Sequence, residues 1–378
     1  MKKGAATAKA AGGNSWNFHP LDFLLVAIPV ALALRFVPAW KNDTALFFAS
    51  GLAMIPLAGW MSRATENLGE RTGPCISGFL NATFSNAPEL IIAIMALSKG
   101  LIAVVKASII GSILGNILVV LGFSMLAGGL RFQHLRFNQT GIRVAATSLT
   151  LATIGLITPS VFRFSVEHTS VTLPPKAEID LSLAIAAVLL ATYALWLLFS
   201  MVSHKELFAN EADAAHEDVS ATKEAAWSLS KGLLVLALST FLIAVLSEFL
   251  AGSVESTCHS LGLSQVFVGV VIVSIIGNAG ESTAVFVALK GKMDLSLSIA
   301  IGSSLQIALF VMPLLVFASH LMGTPITLEF TTPELVSIIL AVAIVVLISG
   351  DGECNWIEGA QLLSVYVMLA LLFYFLPA

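Results

Sequence analysis

Two stretches of this 378-residue chain share one pattern, and that pattern decides the expected fold. The first reads SNAPELIIAIMALSKG over residues 85–100 and leads to GSILGN at 111–116. The second reads GNAGESTAVFVALKGKMDLSL over residues 277–297 and leads to GSSLQ at 302–306. Each copy has an Asn three residues before a Glu, then an apolar half-helix ending in Lys and Gly, then a new helix with Gly-Ser. Such self-similarity predicts an internal duplication.

The composition around these stretches indicates a membrane protein. The chain is 57% hydrophobic and only 11% charged, with a mean hydropathy of +0.93, whereas soluble domains carry about 25% charged residues. A lipid bilayer is therefore the expected partner of the protein. The composition disfavours a soluble enzyme and a disordered chain. A net charge of −4 also disfavours nucleic acid as a partner.

Continuous apolar stretches of about 17–26 residues predict spanning α-helices rather than the short alternating segments of a β-barrel. The expected fold class is an all-α integral membrane protein with eleven transmembrane helices. The predicted spans are 22–39, 44–61, 74–98, 102–127, 142–160, 179–202, 228–250, 264–289, 295–320, 334–350 and 356–376.

The duplication divides these spans into one N-terminal helix and two five-helix repeats. The expected parts are a cytoplasmic tail at 1–20, the first helix at 21–41, repeat one at 42–202, a linker at 203–227 and repeat two at 228–378. An odd number of spans in a repeat turns the second copy upside down relative to the first. Inverted repeats of this kind are typical of transporters, with the substrate site between the copies near the bilayer midplane.

Charge sets the expected orientation. With the N-terminus in the cytoplasm, 13 of the 19 Lys and Arg residues fall on the cytoplasmic side, as the positive-inside rule requires. The short tails favour a prokaryotic plasma membrane over a vacuolar one.

The linker is acidic. It carries Glu224 and five further acids against two lysines, and two interpretations stay open: a solvated hinge, or a regulatory segment that gathers cations. The five acids of the regulatory interpretation are Glu206, Glu211, Asp213, Glu217 and Asp218.

Glu89 and Glu281 are the sharpest candidates for function, because each lies deep inside an apolar span. A charge at that depth costs about 2.5–3.5 kcal/mol on insertion scales, which marks intramembrane acids as functional. We therefore interpret the pair as a cation or proton site. No His or Cys is near, so zinc and copper are disfavoured.

Further oxygen-bearing groups accompany the two acids. Ca²⁺ takes carboxylate, amide and backbone oxygens, and Pro88 is expected to release the carbonyl of Phe84 from the helical hydrogen-bond ladder. The other candidate ligands are Asn86, Asn278, Ser112, Asn116, Ser303 and Gln306.

Two carboxylates in a low-dielectric site repel each other. An unliganded pair is therefore expected to take up protons, and one divalent cation neutralises the pair as well as two protons do. This balance favours a coupled antiport of a divalent cation against protons.

The quoted motifs resemble the two α-repeats of the calcium/cation antiporter superfamily, above all its cation/proton (calcium/proton) exchanger branch. The resemblance extends to PLAGWMSRATENLGERTGP, SEFLAGSVEST and DGECNWIEG. It implies helices arranged as one plus five plus five, with the acidic linker in the cytosol. It also implies that Glu89 and Glu281 alternate between Ca²⁺ and H⁺ and that Asn86, Asn278, Ser112, Ser303 and Gln306 line the same pathway.

Several alternatives stay open. Besides a Ca²⁺/H⁺ antiporter, these are a sodium-coupled calcium exchanger, a Mn²⁺/H⁺ antiporter, a channel and, from another class, an intramembrane enzyme. The sequence has no HExxH motif and no Ser/His or Asp/Asp catalytic spacing, so we expect a transporter without catalytic residues. We expect no resident cofactor, with Ca²⁺ as cargo; other divalent cargo and a homo-oligomer stay open.

Overall fold

The structure is a computed structural model, and it describes residues 20–69, 71, 80, 83–167, 176–204 and 227–376. Residues 1–19 of the predicted N-terminal tail and the acidic residues of the linker lie outside the described residues. The regulatory interpretation of Glu206, Glu211, Asp213, Glu217 and Asp218 therefore stays a prediction.

Helices make up almost all of the described chain, which confirms the predicted all-α class. In the first half, a 3-10 turn at Pro20–Val26 precedes α1 (Ala27–Phe36), followed by α2 (Asp43–Gly69), α3 (Ala87–Ser98), α4 (Ile102–Arg131), α5 (Gln139–Glu167) and α6 (Lys176–Ser203). In the second half come α7 (Leu229–Leu261), α8 (Gln265–Gly277), α9 (Gly280–Ala288), α10 (Met293–Leu321), α11 (Thr332–Ile348) and α12 (Trp356–Phe375).

Seven of the described helices are long and apolar enough to cross a membrane, or eight if α8 and α9 form one span bent by 59°. Helices α3 and α11 are apolar but shorter than 18 residues. Within the described residues, each predicted span overlaps at least one helix, while the count of eleven crossings stays a prediction.

Burial separates a central pair of helices from a lipid-facing shell. In α4 and α10 the most apolar windows are 83% and 72% buried, against 22% in both α6 and α12. Large apolar side chains such as Leu195 and Leu371 are exposed on the outer helices, as expected where lipid replaces water. Because α4 and α10 carry the two Gly-Ser motifs, the candidate ligands Ser112, Asn116, Ser303 and Gln306 lie in the protected centre.

The two halves are interlocked at a crossing of α4 and α8. A Cβ atom added at Gly111 would lie 2.2 Å from the carbonyl oxygen of Val270 and 2.6 Å from its Cα. Only the absence of a side chain allows the two backbones to come so close. Helix α8, which carries the second Asn–Glu motif, is thereby seated against the helix that carries the first Gly-Ser motif.

One end of the bundle is closed by two short antiparallel strands, β1 (Leu135–Arg136) and β2 (Glu353–Cys354). They join the loop after α4 to the loop before α12, and Arg136 pairs with Glu353 at 2.9 Å. We call this the strand end.

The opposite end is crossed by residues 326–330, which we call the strap. The strap connects α10 to α11 and is bound to the first half of the chain. Its Leu328 N–H donates to Ser182 Oγ of α6 at 3.0 Å, and its Phe330 N–H donates to Ser160 Oγ of α5 at 2.9 Å. We call this the strap end.

Candidate functional site

The first Asn–Glu motif lies where a helix begins anew. Residues 85–86 form a turn, Asn86 is the N-cap residue of α3, and Glu89 is in its first turn. Pro88 also lies in that first turn, where its missing N–H costs nothing. Phe84 lies directly before the turn, and the use of its carbonyl as a ligand stays a prediction.

The second motif has the same construction. Helix α8 ends at Gly277, Asn278 and Ala279 form a turn, and α9 begins at Gly280 with Glu281 in its first turn. In both copies a carboxylate therefore stands at a helix N-terminus, where unpaired N–H groups and the helix dipole favour negative charge.

The two carboxylates are buried and lie close together. Glu89 and Glu281 are each 5% exposed. A Cβ atom added at Gly277 would lie 3.1 Å from Glu89 Cγ. The acid of the first copy thus rests against the helix break that carries the acid of the second.

The two asparagine side chains are oriented by their nitrogens. Asn278 Nδ2 donates to the Ser112 carbonyl oxygen at 2.8 Å. Asn86 Nδ2 donates to Gln306 Oε1 and to Ser85 Oγ, the latter at 3.2 Å. Because each amide nitrogen is engaged with the opposite half of the chain or with a neighbour, the amide oxygen is left over in each case.

Five buried oxygens on the two glutamates and the two asparagines have no hydrogen-bond partner within the described part of the chain. They are Asn86 Oδ1, Glu89 Oε1, Glu89 Oε2, Asn278 Oδ1 and Glu281 Oε2. Buried polar atoms are satisfied almost everywhere in folded proteins, so a cluster of orphaned acceptors needs an explanation. A set of carboxylate and amide oxygens is the donor set that a hard divalent cation prefers.

The remaining predicted ligands also lie on the central helices. Ser303 of α10 is buried beside Glu281. Asn116 of α4 is fully buried, and neither of its amide atoms has a partner among the described residues. Ser112 is buried and contributes the carbonyl that Asn278 uses.

Gln306 is bound to the turn that carries the first Asn–Glu motif. Its Oε1 accepts from Asn86 Nδ2 and from Ser85 Oγ, the latter at 3.0 Å. This oxygen therefore helps to orient Asn86, and its use as a cation ligand stays a prediction. Ser85 was not among the predicted site residues; its only signal was its place directly before Asn86, where the second copy has Gly277.

Two π-helical segments follow the Gly-Ser motifs, at Gly115–Val120 in α4 and Ile307–Val311 in α10. Such wide turns are rare and occur frequently at functional sites, because they release backbone groups from regular hydrogen bonding. They escape sequence analysis, since Gly-Asn-Ile-Leu and Gln-Ile-Ala-Leu are compatible with an ordinary α-helix.

Comparison with known proteins gives close relatives over nearly the whole chain. The Ca(2+)/H(+) antiporter of Aphanothece halophytica is 44% identical over 94% of this chain and 96% of the relative. The Ca(2+)/H(+) antiporter ChaA of Bacillus subtilis is 40% identical over 94% and 99%. Among solved structures, native YfkE superposes with a TM-score of 0.80 at 36% identity, over 94% of this chain and all of that one.

The family model described as sodium/calcium exchanger protein matches residues 43–202 and 231–375. These two segments contain both Asn–Glu motifs, both Gly-Ser motifs and every described helix of the candidate site. The chain belongs to the sodium/calcium exchanger family.

Proposed function

We propose that the protein is a secondary antiporter that exports Ca²⁺ from the cytosol in exchange for H⁺ by alternating access. The observation that carries this proposal is the cluster of five partnerless buried oxygens on Glu89, Glu281, Asn86 and Asn278. The naming of the relatives as Ca(2+)/H(+) antiporters supports the same ion pair.

Charge balance explains why the exchange is coupled. Two carboxylates with little solvent exposure carry −2 when ionised, and either one Ca²⁺ or two protons brings the pair to zero. The doubly ionised pair without a cation is the costly state, because its charges repel in a medium of low dielectric constant. Only the Ca²⁺-bound form and the doubly protonated form are neutral, so only these two change readily between the two access states. Each cycle therefore exchanges Ca²⁺ for protons.

The proposed topology has eleven spans, with one helix followed by two inverted five-helix repeats and the site between them. The orientation places the N-terminus, the acidic linker and the strand end in the cytoplasm, and the strap end outside. The membrane is the plasma membrane of a prokaryote, which agrees with the bacterial source of the relatives above.

Ion coupling is tested in proteoliposomes loaded with Ca²⁺-sensitive dye. An imposed pH gradient without sodium is expected to drive Ca²⁺ movement, and a sodium gradient at equal pH is not. Competition by Mn²⁺, Na⁺ and K⁺ then ranks the cargo. Transport that requires sodium, or that proceeds without any counter-gradient, would support the sodium-coupled or channel alternative instead.

The topology is tested by labelling single cysteines in a variant that lacks the native ones. His134 at the strand end and Thr324 beside the strap are both exposed. In intact cells an impermeant maleimide is expected to label Thr324→Cys and to label His134→Cys only after the membrane is opened. The reverse pattern would contradict the proposed orientation.

A further inference from the structure

Lys106 is a basic residue inside an apolar span, and the exchange described above does not use it. It is the fifth residue of α4 and is half-buried. Moving a lysine into a membrane span is costly, so an intramembrane lysine usually has a functional role. The contacts of the Lys106 ammonium indicate that role.

The Lys106 ammonium is held by two uncharged oxygens of the strap. Nζ donates to the Glu329 carbonyl oxygen at 2.8 Å and to Thr327 Oγ1 at 3.2 Å. The Glu329 carboxylate instead pairs with Arg163 of α5 at 2.8 Å, and its side chain is only 9% exposed. The Glu329 carboxylate is thus paired with Arg163, and only the backbone carbonyl of Glu329 is bound to Lys106.

Three charged groups act on Lys106 from the elements packed around it. Glu329 of the strap and Glu334 of α11 attract its charge, and Arg163 repels it. Glu334 is 2% exposed and accepts from the Thr331 hydroxyl and N–H, both at 2.7 Å. Arg163 is also paired with Glu167 at 3.0 Å, so the cluster holds two cations and three acids, and neutralising any one of them changes the potential around it.

The candidate cation site lies on the same helix. Ser112, whose carbonyl binds Asn278, is six residues beyond Lys106, which corresponds to about 9 Å along the axis of α4. The intervening residues Ile109 and Ile110 are buried, so little water screens the two positions from each other. Across such a distance in a protein interior, a unit charge changes the energy of a divalent cation considerably.

We propose that Lys106 lowers the affinity of the site for Ca²⁺ and thereby speeds release of the ion at the strap end. It acts through the field of its charge and not through contact with the ion. This inference rests on the proposed function, and it adds a residue that sets affinity. The Gly-Ser helix of the second half has Leu297 at the corresponding position, so the effect belongs to one side of the site only.

The test separates charge from contact. Lys106→Gln is expected to lower KM for Ca²⁺ about tenfold and to reduce kcat, because release becomes slower. Titration calorimetry with Ca²⁺ on the purified protein is expected to show the same change in Kd. Lys106→Arg keeps the charge and Thr327→Val keeps it while removing one contact, so both are expected to stay within about twofold of the unaltered protein. Lys99→Gln, at an exposed lysine, is the matched control.

Glu334→Gln supplies a second test of opposite sign. The substitution removes a negative charge near the Lys106 ammonium, so the positive charge of Lys106 is compensated less. KM and Kd for Ca²⁺ are therefore expected to rise several-fold. This variant carries the test if Lys106→Gln does not fold.

The inference is overturned if Lys106→Gln leaves the Kd unchanged or weakens binding, or if Lys106→Arg behaves like Lys106→Gln. It is equally overturned if Glu334→Gln tightens binding. Failure of the proposed function has a different signature, namely no proton-driven Ca²⁺ movement by the unaltered protein, and the calorimetric measurement does not depend on that coupling.

Discussion

Replacing either Glu89 or Glu281 by Gln is expected to abolish proton-driven Ca²⁺ transport, with a loss of about 100-fold or more. Gln has nearly the shape of Glu but carries no charge and no titratable proton. The site would then hold −1 instead of −2, so a bound Ca²⁺ would leave an uncompensated positive charge among buried groups. The variant would also lose one of the two proton acceptors that make the return step neutral.

The measurement is initial Ca²⁺ flux in proteoliposomes under a fixed pH gradient, with the variants matched for reconstituted protein. Glu248→Gln is the control, because Glu248 is a half-exposed acid paired with Lys99 at 3.7 Å and lies away from the site. It is expected to transport within about twofold of the unaltered protein. Full transport by either Glu89→Gln or Glu281→Gln would show that the exchange mechanism is wrong.

Replacing Gly111 by Ala is expected to cause the largest loss of stability of any single methyl group added near the site. The new Cβ would stand 2.2 Å from the Val270 carbonyl oxygen, and a backbone atom cannot turn aside as a side chain can. Overpacking of a tight core typically costs about 1–3 kcal/mol, and α4 and α8 would have to separate. Because α8 carries Asn278, the separation would also loosen its bond to Ser112.

Thermal unfolding in detergent and Ca²⁺ flux together check this expectation. Gly111→Ala is expected to lower Tm by several degrees and to reduce flux about tenfold or more. Gly59→Ala in α2 is the matched control, since no described heavy atom lies within 4 Å of its added Cβ. That substitution is expected to leave Tm unchanged or raise it, because Ala favours a helix over Gly. An equally stable and active Gly111→Ala protein would contradict the α4–α8 crossing.

Much of the candidate site could be predicted from the sequence because its signals are local. Glu89 and Glu281 stand out since each is an acid within a long apolar run, and the cost of that placement depends on nothing distant. Pro88 and Gly277 mark breaks for similarly local reasons, as they weaken or interrupt a helix by their own backbone chemistry. The repeat then related the two acids to each other before any contact was known.

The hydrogen bonds of the polar side chains between the two copies depend on the tertiary structure and could not be predicted from the sequence. Gln306 carries the same amide whether it faces a cation or Asn86, and only the packing of α10 beside the turn at residues 85–86 selects the second. The strap contacts of Lys106 likewise join residues more than 200 positions apart. The membrane class, the duplicated motif and the two buried acids could be predicted, because hydropathy, repeated motifs and the cost of burying a charge are properties of consecutive residues. Which oxygens stay free for a cation depends on hydrogen bonds between distant segments, and these exist only once the helices have packed.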